Sequence, residues 1–259
     1  MVLSLCVLHI LVVLNIAYVL QQYLKDLLRK YLITLNYLEE AIATFAYSSC
    51  VFEIGVINSE YGVIVALCAG FLILLGKNGK FLFQGRAANP CGLMYDLLQS
   101  LKLNDFLMLT MMQLSGAFLS YFYISLMWKL TQSSQHFQHL EYSWKLELKI
   151  EIVFSFLKEF FATFICNFVD LVTRQENMKS VNPIINTATS VLISYLLADS
   201  TGVWMNPTLA SVHLFQFRKK LLQNIIVFWF APIFGTIFAY NLAIYVLNTV
   251  VKHRIKKEL

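Results

Sequence analysis

The most telling stretch of the chain reads Ala-Asn-Pro-Cys-Gly at residues 88–92, and a second Asn-Pro pair stands in Trp-Met-Asn-Pro-Thr at 204–208. Asn is a preferred N-cap and Pro is favoured at the first helical position, so each pair predicts the start of a helix. The apolar pieces that begin there, 89–101 and 206–217, are too short to cross a bilayer, which takes about 20 residues. Each pair therefore predicts a half-helix that enters the membrane without crossing it.

The composition excludes an ordinary soluble domain. The chain has 259 residues, of which 58% are hydrophobic and only 14% are charged, whereas soluble domains carry about 25% charged residues. The chain is therefore predicted to be an integral, multi-pass membrane protein with the lipid bilayer as a partner. The apolar stretches that predict spans are 2–20, 35–57, 62–76, 104–128, 151–173, 183–199 and 222–250.

The first apolar stretch, 2–20, has two interpretations. It could be a secretory signal peptide or a retained hydrophobic helix. It lacks the basic start and the small-residue cleavage site that are typical of signal peptides. We therefore expect an extra N-terminal hydrophobic helix.

Lys and Arg cluster in the loops between the apolar stretches, and these clusters predict the topology. One set of loops, which includes the linker at 21–34 and the C-terminus, holds twelve of them, and the other set holds six. Positively charged loops stay in the cytoplasm, so the C-terminus is predicted to be cytoplasmic and the loop at 129–150 lumenal. The net charge of +5 is modest, so nucleic-acid binding is the weaker interpretation.

An internal repeat connects the two halves of the chain. The pattern Glu-x-x-Ala-Thr-Phe occurs at 40–45 and again at 159–164, an offset of 119 residues, and the two Asn-Pro pairs are 117 residues apart. A third Asn-Pro pair, at 182–183, has no repeat partner and begins an ordinary span. An odd number of spans per repeat turns the second repeat upside down, and inverted repeats bring their broken helices together at the bilayer midplane.

Glu40 and Glu159 stand inside predicted spans, where a charge is unfavourable unless it faces protein or a cavity. Each carboxylate could accept hydrogen bonds from the neighbouring non-helical loop, or it could couple transport to ions or protons. Because each acid recurs beside a half-helix, we favour the structural interpretation and predict two structural buried acids.

The two half-helix starts predict a polarised constriction rather than a catalytic site. A helix N-terminus carries unsatisfied N–H groups and a partial positive charge. Two such ends at the midplane disfavour cations, while each Asn amide can donate to a passing neutral solute. The chain contains neither Gly-x-Ser-x-Gly nor His-Glu-x-x-His, which are typical of hydrolases and metalloproteases. No enzyme activity and no cofactor are predicted.

Metal binding has weak support in the sequence, which contains no Cys-x-x-Cys and no Cys/His cluster. His136 and His139 lie three residues apart in the 129–150 loop, with Glu141 nearby. They could bind a metal or sense pH. Solvated loop histidines are the favoured interpretation, so no metal site is predicted.

The paired motifs resemble the signature loops of the aquaporin family, and the Glu-x-x-Ala-Thr-Phe repeats are similar to its first and fourth core helices. The stretch at 228–235 looks like the start of its last helix, so the resemblance covers residues 35–250. The best match is the unorthodox subfamily, the superaquaporins, a member of which shares the Asn-Pro-Cys motif and the extra apolar N-terminal segment. That member also shares a Thr-Phe, Cys and Glu pattern, with a slightly different Cys-to-Glu interval, found here at Thr44, Phe45, Cys50 and Glu53.

The resemblance implies an all-α membrane protein built as a right-handed bundle of six spanning helices. Two re-entrant half-helices in an inverted repeat complete it, together with the extra N-terminal helix. It also implies a passive channel for water and small neutral solutes such as glycerol or hydrogen peroxide, and a homotetramer with one pore per subunit. The residues that would contact the permeant are Asn89, Pro90, Cys91, Asn206, Pro207 and Thr208.

Four positions depart from the family pattern. Orthodox members have Arg three residues after the second Asn and His twelve residues before it, and these places hold Leu209 and Ser194. The outer filter is thus predicted to be less polar, and it could be wider. Thr208 adds a hydroxyl near the midplane, and Cys91 could face the pore or pack behind the loop. An alternative function therefore stays open, a poorly conducting structural or homeostatic protein of the endoplasmic reticulum.

The predicted layout places the two repeats at 35–128 and 151–250, on either side of the lumenal loop at 129–150. Residues 1–34 hold the N-terminal helix and its basic linker, and 251–259 form a cytoplasmic tail. Lys at positions 256 and 257 resembles a dilysine retrieval signal, although basic residues also simply flank spans. We expect the endoplasmic reticulum or another intracellular membrane, with the plasma membrane as the alternative.

Overall fold

The structure, a computed structural model, describes residues 2–131, 133–136, 138, 152–175, 178–201, 203–213 and 221–258, and only the backbone of 198–201 and 250–258. Its long elements are helices, and a π-helical turn at Ile226–Phe230 joins the last two. A 3₁₀ turn lies at Phe83–Gly85. The helices are α1 (Val2–Leu27), α2 (Leu32–Tyr61), α3 (Val63–Asn78), α4 (Pro90–Gln99), α5 (Leu103–Thr131), α6 (Ile152–Thr173), α7 (Asn182–Thr201), α8 (Pro207–His213), α9 (Leu221–Ile225) and α10 (Ala231–Glu258).

Length and composition make five of these helical stretches able to cross a membrane. A sixth candidate is the pair Val63–Asn78 and Phe83–Gln99, which bends by 47° as a broken span or a re-entrant loop. The predicted all-α membrane fold is therefore confirmed. The five candidates are Val2–Leu27, Leu32–Tyr61, Leu103–Thr131, Ile152–Thr173 and Leu221–Thr249.

The helices that follow the two Asn-Pro pairs are short, at Pro90–Gln99 and Pro207–His213. The end of the predicted stretch 206–217 lies outside the described residues. At the C-terminus the backbone stays helical from Ala231 to Glu258, so the predicted tail continues the last helix. Gly and Pro are the two residue types that most disfavour a helix interior, and neither occurs within residues 236–258.

Two pairs of helices cross closely at glycines, and the crossings repeat. A Cβ added to Gly116 of α5 would lie 2.1 Å from the carbonyl oxygen of Ala41 in α2, and one added to Gly235 of α10 would lie 2.6 Å from that of Phe160 in α6. Both glycines and both carbonyls are 119 residues apart. This third pair of repeated positions was not predicted, although it has the same 119-residue offset as the two Glu-x-x-Ala-Thr-Phe patterns.

Helix α1 packs antiparallel to α2 and is tied to it near both ends. At one end His9 Nδ1 lies 2.9 Å from Glu53 Oε1. At the other, Gln21 Nε2 donates to the carbonyl of Glu39 at 3.3 Å, and Lys25 Nζ lies 3.8 Å from the Glu39 carboxylate. The extra N-terminal helix is therefore part of the packed bundle.

Candidate functional site

Each Asn-Pro pair starts its helix through a side-chain cap. The side-chain oxygen of Asn89 accepts from the backbone N–H of Cys91 at 2.9 Å. That of Asn206 accepts from the N–H groups of Thr208 at 3.1 Å and Leu209 at 3.4 Å. These are the orphan donors of a helix start, so the sequence folds locally as the N-cap rule requires.

The same two side chains bind the opposite loops to each other. Asn89 Nδ2 donates to the carbonyl of Met205 at 3.0 Å, and Asn206 Nδ2 donates to the carbonyl of Ala88 at 2.8 Å. Each acceptor is the residue directly before the other asparagine. The structure therefore brings the two half-helix starts together through reciprocal bonds across 116 and 118 residues of sequence.

Ala88 and Met205, the residues before the asparagines, have left-handed backbone, with φ of 45° and 48°. Residues other than Gly rarely adopt this backbone conformation. Each residue is bonded on both sides, because its carbonyl accepts from the opposite asparagine while its N–H donates to a buried acid. Ala88 N lies 2.6 Å from Glu40 Oε1, and Met205 N lies 3.0 Å from Glu159 Oε2.

Glu40 and Glu159 are almost fully buried, with exposed fractions of 2% and 0%. Glu40 Oε1 also accepts from Gln113 Nε2 at 2.7 Å, and Glu159 Oε1 accepts from the backbone N–H of Trp204 at 2.9 Å. A buried carboxylate is stabilised when several donors surround it. These contacts hold the two loops that carry the asparagines.

The remaining predicted site residues are packed around the same loops. Pro90 and Pro207 occupy the first helical positions and are buried. Cys91 is 2% exposed. Thr208 is fully buried, and its hydroxyl finds no hydrogen-bond partner among the residues that the structure describes.

The two predicted outer-filter residues lie in different environments. Leu209 is 3% exposed on α8, and Ser194 is half-buried on α7. One turn beyond Leu209, the ring of His213 stacks on Phe52 of α2 at 3.9 Å between centroids, and it lies 4.6 Å from the ring of Trp204. This aromatic stack was not predicted from the sequence. His213 on an apolar half-helix was a visible signal, whereas Phe52 is 161 residues away in sequence.

His136 contradicts the expectation of a solvated loop histidine. It is fully buried, because its ring packs against Trp128 at 5.3 Å and its Nε2 lies 3.3 Å from the Glu53 carboxylate. His139 and Glu141, the other residues of that expectation, lie outside the described part of the chain.

Comparison with known proteins gives one family. The sequence profile of the family described as "Major intrinsic protein" matches residues 93–243, which is more than half of the chain. The chain is 23% identical to Aquaporin-11 of Homo sapiens over 198 residues, 76% of this chain and 73% of that one. It is also 23% identical to Aquaporin-11 of the tardigrade Milnesium tardigradum over 242 residues, 92% and 86% of the two chains. The predicted resemblance to the superaquaporin subfamily is confirmed.

Proposed function

The chain belongs to the major intrinsic protein family of membrane channels, and from this premise we propose that it passes water and small neutral solutes between Asn89 and Asn206. The observation that carries this proposal is the reciprocal bonding of the two caps. Each asparagine caps its own half-helix and donates to the loop of the other. Two helix starts with polar side chains are thus fixed at one place inside an apolar bundle.

The two side-chain amides supply the hydrogen bonds that a permeant needs. A primary amide has two N–H groups, and one of each is engaged with the opposite loop. The second N–H of each amide donates to the oxygen of a water molecule or a hydroxyl-bearing solute. This donation replaces part of the hydration shell that the solute loses in the pore.

The electrostatics of the site disfavour cations. Both half-helices present their positive ends to the constriction. The two acids behind them are engaged by backbone and amide donors, with Glu40 on Ala88 and Glu159 on Trp204 and Met205. We assign the two acids a structural role, because each holds N–H groups of the loop beside its half-helix.

The aromatic stack of Phe52, Trp204 and His213 forms the selective part of the path on the lumenal side of the asparagines. It stands near Leu209, where orthodox members have Arg, and it supplies an imidazole from α8 instead of α7. The sequence predicts a less polar filter that could be wider, whereas stacked rings that include an imidazole favour a narrower and more polar one. We therefore rank the solutes as water and hydrogen peroxide before glycerol.

Stopped-flow swelling of vesicles that contain the purified protein tests the proposal. We expect water permeability above that of empty vesicles, and the loss of this increase in Asn206→Asp and Asn89→Asp. Either change removes the amide donor and places a carboxylate opposite a carbonyl oxygen. Asn104→Asp, the same change at an exposed residue near the start of α5, is the matched control.

The channel proposal would be refuted if wild-type protein elutes as a folded species in size-exclusion chromatography but does not raise vesicle permeability to water, glycerol or peroxide. That result would favour the second candidate, a structural membrane protein that keeps the fold and hardly conducts. The buried Leu209 and the stacked His213 are the observations that favour it.

Assembly and location are further parts of the proposal. We propose a homotetramer with one pore per subunit, because the family resemblance implies it. We also propose the endoplasmic reticulum or another intracellular membrane, with basic residues near 256 and 257 as the retrieval motif. Light scattering of the detergent-solubilised protein and imaging of the tagged chain test these two statements.

A further inference from the structure

Three potential metal ligands meet away from the two asparagines, where α1, α2 and the segment after α5 come together. Cys6, Glu53 and His136 are buried, and one ligand atom from each lies within 4.8 Å of the other two. We propose that these three residues bind a divalent transition metal, with Zn²⁺ as the best match. The site rests on none of the residues assigned to the pore.

The distances between the ligand atoms suit tetrahedral zinc. Bonds of about 2.3 Å to sulfur, 2.0 Å to nitrogen and 2.1 Å to oxygen place sulfur roughly 3.5 Å from nitrogen, and nitrogen roughly 3.3 Å from oxygen. In the structure Cys6 Sγ lies 3.6 Å from His136 Nε2, and this nitrogen lies 3.3 Å from Glu53 Oε2. These two distances already match a tetrahedral site, while the sulfur and the carboxylate oxygen lie within 4.8 Å of each other and would approach the ion when it binds. Water takes the fourth position.

The groups around the three ligands form the outer shell that metal sites use. A ligating histidine usually has its other ring nitrogen bonded to an oxygen, and a ligating carboxylate is itself hydrogen-bonded. His136 Nδ1 lies 2.7 Å from the hydroxyl of Ser133. The second oxygen of Glu53 accepts from Trp128 Nε1 at 2.7 Å and lies 2.9 Å from His9 Nδ1. Both orienting contacts are thus already made.

Charge also favours a dication at this place. A thiolate and a carboxylate together carry two negative charges, so Zn²⁺ with Cys6, Glu53 and a neutral His136 makes a buried group with no net charge. The thiol proton passes to solvent when the metal binds. Sulfur with imidazole nitrogen is a ligand set for zinc rather than for Ca²⁺ or Mg²⁺, which prefer oxygen ligands.

The site would join three parts of the chain that are far apart in sequence. Cys6 lies in α1, Glu53 in α2, and His136 beyond the end of α5. Glu53 is 13 residues from Glu40 along α2, which is about 20 Å of helix. The metal would therefore fasten the N-terminal helix to the lumenal end of the bundle.

Metal content of the purified full-length protein tests the inference. The protein is treated with a chelator, reloaded with Zn²⁺ and separated from unbound metal. Its bound Zn²⁺ is then quantified by inductively coupled plasma mass spectrometry. We expect one Zn²⁺ per subunit, a melting temperature that rises on loading, and loss of both in Cys6→Ser and His136→Ala. His9→Gln, which alters only the outer shell, should weaken Zn²⁺ binding about 10- to 100-fold. Cys68→Ser, at an exposed cysteine, is the matched control.

Cobalt substitution keeps the test decisive if a variant fails to fold. Wild-type protein loaded with Co²⁺ should show the near-ultraviolet band of a cobalt–thiolate bond, and Cys68→Ser should keep it. Wild type with neither stoichiometric Zn²⁺ nor this band would overturn the inference, and the cluster would then be a hydrogen-bonded one only. Equal Zn²⁺ content in wild type, Cys6→Ser and His136→Ala would overturn it as well. Metal content does not depend on transport, so the proposed channel function can fail separately.

Discussion

The two halves of the molecule build the same loop geometry with different side chains. In the first half Glu40 uses one oxygen, Oε1, for both bonds that the structure describes, to Ala88 N–H and to the Gln113 amide. In the second half Glu159 uses both oxygens, one for Trp204 N–H and one for Met205 N–H. The acid and the asparagine recur where backbone groups must be bonded, while the supporting partners differ.

The two halves also share a close helix crossing at a glycine. Gly116 and Gly235 each let a helix approach the carbonyl directly after a buried acid. In both halves the helix that carries the acid therefore packs directly against the helix that carries the glycine. The approach is closer in the first half, 2.1 Å against 2.6 Å for an added Cβ, so the halves should tolerate the same substitution differently.

The largest effect is expected from Gly116→Ala. Its new methyl group would meet backbone oxygen, which cannot turn aside as a side chain can, and overpacking of this kind lowers the free energy of unfolding by about 3 kcal/mol. Gly235→Ala should lower it by about 2 kcal/mol, since its contact is longer. Thermal unfolding of the purified proteins measures both.

Gly70→Ala is the control for these two variants, because nothing lies within 4 Å of a Cβ at that helical position. Ala favours a helix over Gly by about 1 kcal/mol, so this variant should melt no lower than wild type. If Gly116→Ala and Gly70→Ala have the same melting temperature, the close helix crossing does not require glycine at position 116. The repeated pair Gly116 and Gly235 would then have no structural role in the crossings.

Replacing the two buried acids by glutamine should lower stability by different and smaller amounts. Glu159→Gln leaves a single acceptor oxygen for two backbone N–H groups, so one buried donor is unpaired and stability falls by about 2 kcal/mol. In Glu40→Gln the amide oxygen can still receive both donors, and the loss should be about 1 kcal/mol. Melting temperatures of the two variants, measured side by side, give the difference. Equal losses, or a greater loss at Glu40, would contradict the asymmetry of the bonding.

Much of the loop geometry could be predicted from the sequence, because it follows from local rules. The N-cap preference of Asn and the N1 preference of Pro fix where each half-helix begins, and the 117-residue offset pairs the two. That pairing predicts that each asparagine lies near the opposite loop, but it does not predict the hydrogen bond between them. Which carbonyl accepts it depends on the left-handed backbone at Ala88 and Met205, which no residue preference indicates.

The expectation for His136 failed for a different reason. Its segment is polar and follows a span, so local composition indicates solvent. Its burial depends on Glu53 and Cys6, which are 83 and 130 residues away in sequence. Local patterns cannot detect a cluster that only tertiary packing assembles.

The smallest effect should have opposite signs in the two halves. Cys91 and Thr208 both stand two residues after their asparagine and both are buried. Thr208→Val replaces a hydroxyl that has no partner among the described residues by a methyl of similar size, so it should stabilise the protein by about 0.5–1 kcal/mol. Cys91→Ala removes a buried sulfur and leaves a small cavity, so it should destabilise the protein by about 1 kcal/mol. Paired melting curves would reveal the two signs. A loss of stability in Thr208→Val would mean that its hydroxyl binds something, and the pore is the place where that partner would be water.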